Sequence, residues 1–339
     1  MRIAEKYMNQ RSEKGFALIV VILILLLVSV LVANLTMQVR GELQIAANNK
    51  DRMAGRFLAE GGVQLAVFRK NDQVENSEGT EYERFLEGYP YETMIGEKGR
   101  IRYFLVSESG KIDLNTFPTE LMRMFLAYQG LEQEEIDTVL DSLLDWRDPD
   151  NLHRLNGAEQ DYYQSLDDPY IPRNGRILEP SEFLLVKGTE RLAGKIDPEA
   201  VFTVYNSRSR INFNSLTPEM LDFLAEGDKD VINAYHEALK TIQEGSEPGK
   251  QRLTSNDAEN ILGSERFALL RPYLVYVSND RFYYVRAVGE PGYVPDEQPA
   301  VEEGQGNEAR KHWPGTQIEA LYQWQNNRPR FLVWKERYS

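Results

Sequence analysis

Lys14-Gly15-Phe16-Ala17-Leu18 opens the run from Phe16 to Leu35, FALIVVILILLLVSVLVANL, whose reading governs the rest of the chain. The run carries no charge, and only Ser29 and Asn34 in it are strongly polar. Twenty helical residues rise about 30 Å, the thickness of a bilayer core. Before it, Arg2, Lys6, Arg11 and Lys14 stand against Glu5 and Glu13, a local charge of +2. That bias predicts a single-pass inner-membrane protein with a cytoplasmic N-terminus and its bulk in the periplasm. A cleaved secretory signal fits poorly, because no A-x-A-like site follows the run and the run is long for such a signal. A plain signal anchor is the other reading.

The junction itself separates them. A charged stretch ends in Gly15 and the apolar helix starts abruptly at Phe16, which resembles a prepilin-type signal. The resemblance implies that prepilin peptidase cuts after Gly15 on the cytoplasmic side and methylates the amine of Phe16. The apolar segment would then be kept. In most prepilin-like proteins the fifth mature residue is glutamate, which pairs with the terminal amine of a neighbouring subunit. Here it is Val20. A buried carboxylate in lipid is costly unless paired, so a subunit lacking it fits where no subunit precedes it, at a filament tip.

Residues 36–70 continue the helical pattern, with apolar residues such as Leu43, Ala46, Met53, Phe57, Leu58 and Val67 near helical spacing. Gly41, Gly55, Gly61 and Gly62 weaken it and are candidate bends. A helix from Phe16 to about Arg69 would be roughly 80 Å long. A plain anchor has no need of that, and a filament-packing stem does.

Across 339 residues the formal charge is −14, so everything after Gly15 carries −16. So acidic a chain disfavours nucleic-acid backbones. With no cysteine there are no disulfides, thiolate nucleophiles or cysteine-ligated metals. The three histidines, His153, His236 and His312, are scattered, and no nucleophile motif or phosphate loop is present. Asp and Glu pairs are too abundant to single out an acid/base couple, and the chain is read as a non-enzyme.

The layout that follows is α+β: a long N-terminal transmembrane and stem helix packed on a small antiparallel sheet, with a large, mostly helical insertion. Residues 1–15 are the leader, 16–35 the transmembrane part, 36–70 the stem. Residues 71–110 and 266–339 form the α+β domain, and 111–265 the insertion. Within it, 71–99 reads as a connection and Arg100–Glu108 as a strand. Helices are predicted at Glu120–Tyr128, Glu134–Leu144, Glu182–Lys187, Pro218–Ala225 and Asp230–Ile242. Strands are predicted from Phe267 onward, with one hairpin of Tyr273–Ser278 against Arg281–Ala287 and further strands at Gln317–Trp324 and Arg330–Glu336 around Asn326-Asn327. Residues 289–315, rich in Pro, Gly and charge, read as a long loop.

Lys111-Ile-Asp-Leu-Asn-Thr-Phe-Pro-Thr-Glu-Leu-Met122 aligns with Arg210-Ile-Asn-Phe-Asn-Ser-Leu-Thr-Pro-Glu-Met-Leu221. Each has a basic residue and Ile, then Asn-Thr or Asn-Ser, then Pro and Glu at a helix start. The start resembles helix-hairpin-helix units, whose Gly-x-Gly turn aims amides at a phosphate. Here the turns are Gly130-Leu131-Glu132 and Gly227-Asp228-Lys229, each lacking the second glycine and carrying an acid, which argues against DNA binding.

Residues 145–168 concentrate carboxylates: Asp145, Asp148, Asp150, Glu159, Asp161, Asp167 and Asp168. A calcium loop and a solvated acidic loop neutralised by Arg147 and Arg154 both fit, since calcium takes six to eight oxygens but EF-hand spacing is missing. A wider resemblance bears on this. The Gly15-Phe16 junction, Val20, Gly110-Lys-Ile-Asp-Leu-Asn-Thr116, Leu143-Leu-Asp-Trp-Arg-Asp-Pro-Asp150, Gly157-Ala-Glu159 with Tyr162 and Tyr163, and Glu182-Phe-Leu-Leu-Val-Lys-Gly188 are together similar to the K-type minor pseudopilins of type II secretion. The likeness runs from the stem to about Asn214 and implies a pseudopilin fold. It also implies a place at the pseudopilus tip, where the subunit initiates or caps assembly in a complex with two other minor pseudopilins. Calcium is implied too, with Asp145, Asp148, Asp150, Glu159 and Asp161 as candidate ligands. A minor pilin of a type IV pilus or competence filament, and a tethered helix-hairpin-helix DNA receptor, are the competing readings.

Overall fold

The computed structural model describes residues 2–75, 85–96, 99–206, 208–245, 250–277, 280–292 and 315–338, with no side-chain description at 2–17, 72–75 and 338. The chain divides into two units, Met1–Gly55 and Arg56–Ser339. Helix α1 (Arg2–Glu75) forms without a break despite its glycines. In the first unit the side chains from Leu18 to Leu35 face outward, and an 18-residue window reaches a mean hydropathy of 3.3 with none of it buried. The hydroxyls of Ser29 and Thr36 donate 2.8 Å bonds to the carbonyls of Leu25 and Val32. The helix therefore satisfies its own polar groups, as a bilayer requires.

In the second unit the chain passes through β1 (Tyr91–Met94), β2 (Gly99–Ser107), β3 (Ile112–Asp113), α2 (Thr119–Tyr128), α3 (Gln133–Arg147), α4 (Gln160–Gln164), α5 (Pro198–Val201) and β4 (Phe202–Thr203). It continues with β5 (Ile211–Asn212), α6 (Pro218–Leu224), α7 (Lys229–Gln243), α8 (Ser255–Leu262), α9 (Ser264–Leu270), β6 (Leu274–Val275), β7 (Phe282–Pro291), β8 (Thr316–Gln325) and β9 (Arg328–Tyr338). An antiparallel sheet runs in the order β1-β2-β7-β8-β9. The chain thus leaves the sheet after β2, at Ser107, and rejoins it at β7.

Strand alternation gives the sheet two working faces. Ile101, Tyr103, Leu105, Val285, Ala287, Ile318, Ala320 and Tyr322 point one way and pack with Ala59, Val63, Ala66 and Val67 of α1. Each fully buried aliphatic side chain of this kind contributes about 1.5–3 kcal/mol. Gly62 is where α1 comes closest: a Cβ there would lie 2.6 Å from Ile101 Cγ2 and 2.9 Å from Ala287 Cβ. The glycine that weakens the helix pattern is what lets helix and sheet meet. The opposite face carries Phe104, Val106 and Tyr284, with Arg286, Glu319, Lys335 and Arg337. These ionic groups reach the helical region through Arg286–Glu219 (3.3 Å), Lys335–Glu199 (2.5 Å) and Arg337–Asp197 (3.2 Å).

The helical region is built from one unit used twice. Ile112-Asp113 pairs in parallel with Phe202-Thr203, and Ile211-Asn212 in parallel with Leu274-Val275. Asp113 Oδ1 accepts from the Asn115 amide at 2.7 Å, and Asn212 Oδ1 from the Asn214 amide at 3.1 Å. Asn115 then pegs Ile177 through both its backbone N–H and C=O, each at 2.9 Å. Asn214 does the same to Leu253, at 2.7 and 2.9 Å. A capped turn follows each pegged residue: a 3-10 helix at Pro180–Leu185 in the first copy and α8 in the second. The sequence alignment is therefore an alignment of hydrogen bonds.

Several elements differ from the sequence expectations. Tyr273–Ser278 and Arg281–Ala287 do not form a hairpin, because Leu274-Val275 closes the second repeat against β5 while β7 lies between β2 and β8. Glu182–Lys187 is a 3-10 turn ending at Leu185, with its capping glutamate turned inward on Arg173. Residues 71–99 contain strand β1, short and half exposed, and α9 extends to Leu270 beyond the expected strand start. The turn at Asn326-Asn327 has φ of 53° and 57°, the left-handed pair a two-residue hairpin needs. Most of the 289–315 loop lies outside the described residues.

Candidate cation site

Helix α3 delivers the site. Its capping box, Glu132 with Glu135, fixes the start, and its last two turns place Asp141 and Asp145 on one face. Asp148 is the residue at which the helix stops. The chain then turns back so that Asn156, through its N–H and its side-chain amide, donates to Asp141 Oδ2 at 3.0 Å each. The Arg154 amide donates to Asp145 Oδ2 at 3.0 Å. Its guanidinium Nη1 bonds Asp145 Oδ1, and Asp148 Oδ2 at 2.7 Å. Lys187 Nζ clamps the returning segment through the carbonyls of Gly157 (3.0 Å) and Asn156 (3.4 Å). A Cβ on Gly157 would sit 1.9 Å from Asp145 Oδ2, so only glycine lets the loop close on this carboxylate.

Glu159 completes the cluster. Ligand atoms of Asp145, Asp148 and Glu159 lie within 4.8 Å of one another. Asp145 is fully buried and Glu159 is 2% exposed. Both Glu159 oxygens and Asp148 Oδ1 are buried without a hydrogen-bond partner. An unpaired buried carboxylate is costly, and burial followed by the charges of Asp145, Asp148 and Asp150 pushes the Glu159 carboxyl up to about 7. The donors are oxygens only, the chemistry of a hard cation such as calcium. The residues thus fit a bound calcium ion: Asp145, Asp148 and Glu159 would hold it, and it would supply the charge that the orphaned oxygens lack.

Not every sequence candidate converges here. Asp150 Oδ1 caps the Leu152 amide at 2.9 Å, and Asp161 accepts from the Tyr162 amide at 2.9 Å on the exposed start of α4. Neither joins the three-carboxylate group. Sequence reasoning missed Asp141, Asn156 and Lys187, which hold the loop. Their partners are 15 to 31 residues away and leave no local pattern.

Beside the site, Trp146 stacks edge-on to Tyr163 at 5.1 Å, and its indole donates to Glu182 Oε2 at 3.3 Å. Arg173 forks onto Glu182 with two 2.7 Å bonds. Burial raises the Glu182 carboxyl, but Arg173, the Leu178 amide and Trp146 outweigh it and hold it below the usual range. The signal positions stand apart from all of this. Gly15 and Phe16 fall where side chains are not described, and Val20 is a 37%-exposed residue of α1.

Helix, sheet and insertion together form an α+β pseudopilin fold, and among the described residues one helix is apolar and long enough to cross a membrane. A family model described as type II secretion system (T2SS), protein K matches residues 105–196, the stretch that holds the cation loop. The putative type II secretion system protein K of Escherichia coli (strain K12) is 22% identical over 290 residues, covering 81% of this chain and 87% of that protein. Type II secretion system protein K of Klebsiella pneumoniae is 24% identical over 288 residues, with the same shares covered. The protein of that name from Pectobacterium carotovorum subsp. carotovorum is 33% identical over 102 residues, 30% of this chain and 31% of its own. Among solved structures, the GspK-GspI-GspJ complex from enterotoxigenic Escherichia coli matches with a TM-score of 0.53 at 13% identity, covering 87% of this chain and all of that one. The chain is thus similar to the type II secretion system K proteins over most of its length, and these likenesses support a minor pseudopilin of that system.

Proposed function

We propose that this minor pseudopilin sits at the tip of the pseudopilus and initiates or caps its assembly, in a complex with other minor pseudopilins. The observation that carries the proposal is Val20 in place of an acid. A subunit with no carboxylate at this position has nothing to offer a preceding amine, so it needs no predecessor. The solved relative was crystallised with GspI and GspJ, which supports partners of the same class. Cleavage after Gly15 and methylation of Phe16 by prepilin peptidase, an inner-membrane anchor with the bulk in the periplasm, and a structural, non-enzymatic role belong to the same reading. The amides of Gly130, Leu131, Gly227 and Asp228 in the hairpin turns are taken up by the preceding helices, Leu131 on Leu126 and Gly227 on Asp222. That argues against a phosphate-binding role.

Two measurements test this. N-terminal sequencing of protein from cells with and without the peptidase should find Phe16 first only in the former; a Met1 start in both sinks the signal reading. Full-length protein co-expressed with candidate minor pseudopilins should co-purify with them, and solitary elution would sink the tip complex.

Calcium at Asp145, Asp148 and Glu159 is the second part of the proposal. Millimolar calcium should raise the melting temperature and chelation should reverse it, because a ligand bound only to the native state stabilises it. Glu159→Gln should abolish the shift.

A further inference from the structure

The three carboxylates of the site are not equivalent, because a cation from the chain itself already lies on two of them. Arg154 Nη1 takes Asp145 Oδ1 and Asp148 Oδ2, and the Arg154 amide takes Asp145 Oδ2. What remains is Asp148 Oδ1 and both oxygens of Glu159, buried and without hydrogen-bond partners. The guanidinium thus takes one set of the cluster's oxygens and leaves a second, buried set without hydrogen bonds. With all three carboxylates ionised, as they would be around a bound cation, they and the guanidinium sum to minus two. Asp141, held by Asn156, and Lys187, held on the loop carbonyls, flank the group with one charge of each sign.

We propose that Arg154 is a charge-setting, positioning residue: it fixes Asp145 Oδ1 and Asp148 Oδ2 and leaves a net charge matched to a divalent rather than a trivalent cation. The proposal rests on the calcium reading above and adds what selects the ion. A guanidinium repels any incoming cation in proportion to that cation's charge. Its removal should therefore favour a trivalent ion over a divalent one by the interaction of one further unit charge. At about 6 Å and an effective dielectric of about 20 this is on the order of a hundredfold in relative affinity.

Terbium and calcium are suitable probes, since both seek hard oxygen ligands. Trp146 directly follows Asp145 and can sensitise terbium luminescence. Full-length protein in detergent would be titrated with terbium, then with calcium in competition, for wild type, Arg154→Gln and Arg154→Lys. Wild type should show terbium luminescence that calcium displaces and that Trp146→Phe reduces, the neighbouring Tyr163 supplying the remainder. Arg154→Gln should raise the terbium-to-calcium affinity ratio on the order of a hundredfold, and Arg154→Lys, which keeps the charge, should restore it. Asp148→Asn should lower the ratio, and combined with Arg154→Gln should return it towards wild type. That pair keeps the test decisive if Arg154→Gln alone does not fold. Absence of ion binding by wild type overturns the calcium reading itself. Ion binding with a ratio unmoved by Arg154→Gln, or by Asp148→Asn where the first variant is unfolded, overturns the role of Arg154 and leaves the calcium reading standing.

Discussion

The two repeats of the insertion share their hydrogen bonds and differ in what they enclose. In both, Ile pairs in a two-residue parallel bridge, an Asx turn follows, and an asparagine pegs a distant backbone. Between its second helix and its pegged turn the first repeat inserts residues 148–176, with the acidic loop and α4. The second repeat closes the same gap with residues 244–252. One scaffold therefore serves twice, once as a plain packing unit and once as a holder for carboxylates. The carboxylates lie where they leave the shared bonds alone, in the stretch that the pegging asparagines do not use.

The sharpest way to break this comparison is where the two copies touch. A Cβ on Gly110, just before the first repeat, would fall 1.6 Å from the Ser215 carbonyl oxygen of the second. Gly110→Ala should cost about 3 kcal/mol, the upper end for overpacking, read as a lowered denaturation midpoint. Next, Asn115→Ala and Asn214→Ala should each cost about 2–3 kcal/mol, since each strands buried backbone groups. A large loss at one site and none at the other would show that the copies do not bear equal weight.

The caps that follow the pegs separate the repeats further. Glu182→Gln should cost about 2 kcal/mol, because it breaks charge-assisted bonds to Arg173; Asp257→Asn, in the second repeat, should cost about 1 kcal/mol. The Glu182 carboxyl is held below its ordinary value of 4.5 in the folded chain. Its stabilisation is complete above that value and is lost as pH falls through the lower folded value. Glu182→Gln should therefore flatten the acid limb of a stability–pH curve below about pH 4.5, and an unchanged limb would contradict the assignment. The smallest effect is expected where the first repeat meets the sheet. Lys335 pairs there with the partly exposed Glu199, so Lys335→Gln should cost under about 1 kcal/mol and less at high salt.

Sequence alone determined what local spacing encodes. The uncharged run from Phe16, the helical stem, the main helices of both repeats and the Asn-Asn turn are contiguous signals, and each needs only its own neighbours. So is the carboxylate-rich stretch, although only three of its five candidates converge. Tertiary structure decided the rest. Leu274-Val275 reads as half of a hairpin, yet its partner is Ile211-Asn212, because the second repeat has to close before the chain can re-enter the sheet. Strand β2 meets β7 across the whole insertion, Arg102 opposite Val288, and no periodicity records such a pairing. Glu159 acquires its meaning only when the loop folds back on α3, burying two oxygens that the sequence shows merely as another acid. Local patterns fix which backbone forms are cheap; which of them meet is set by the surface each must bury, and that is a property of the whole chain.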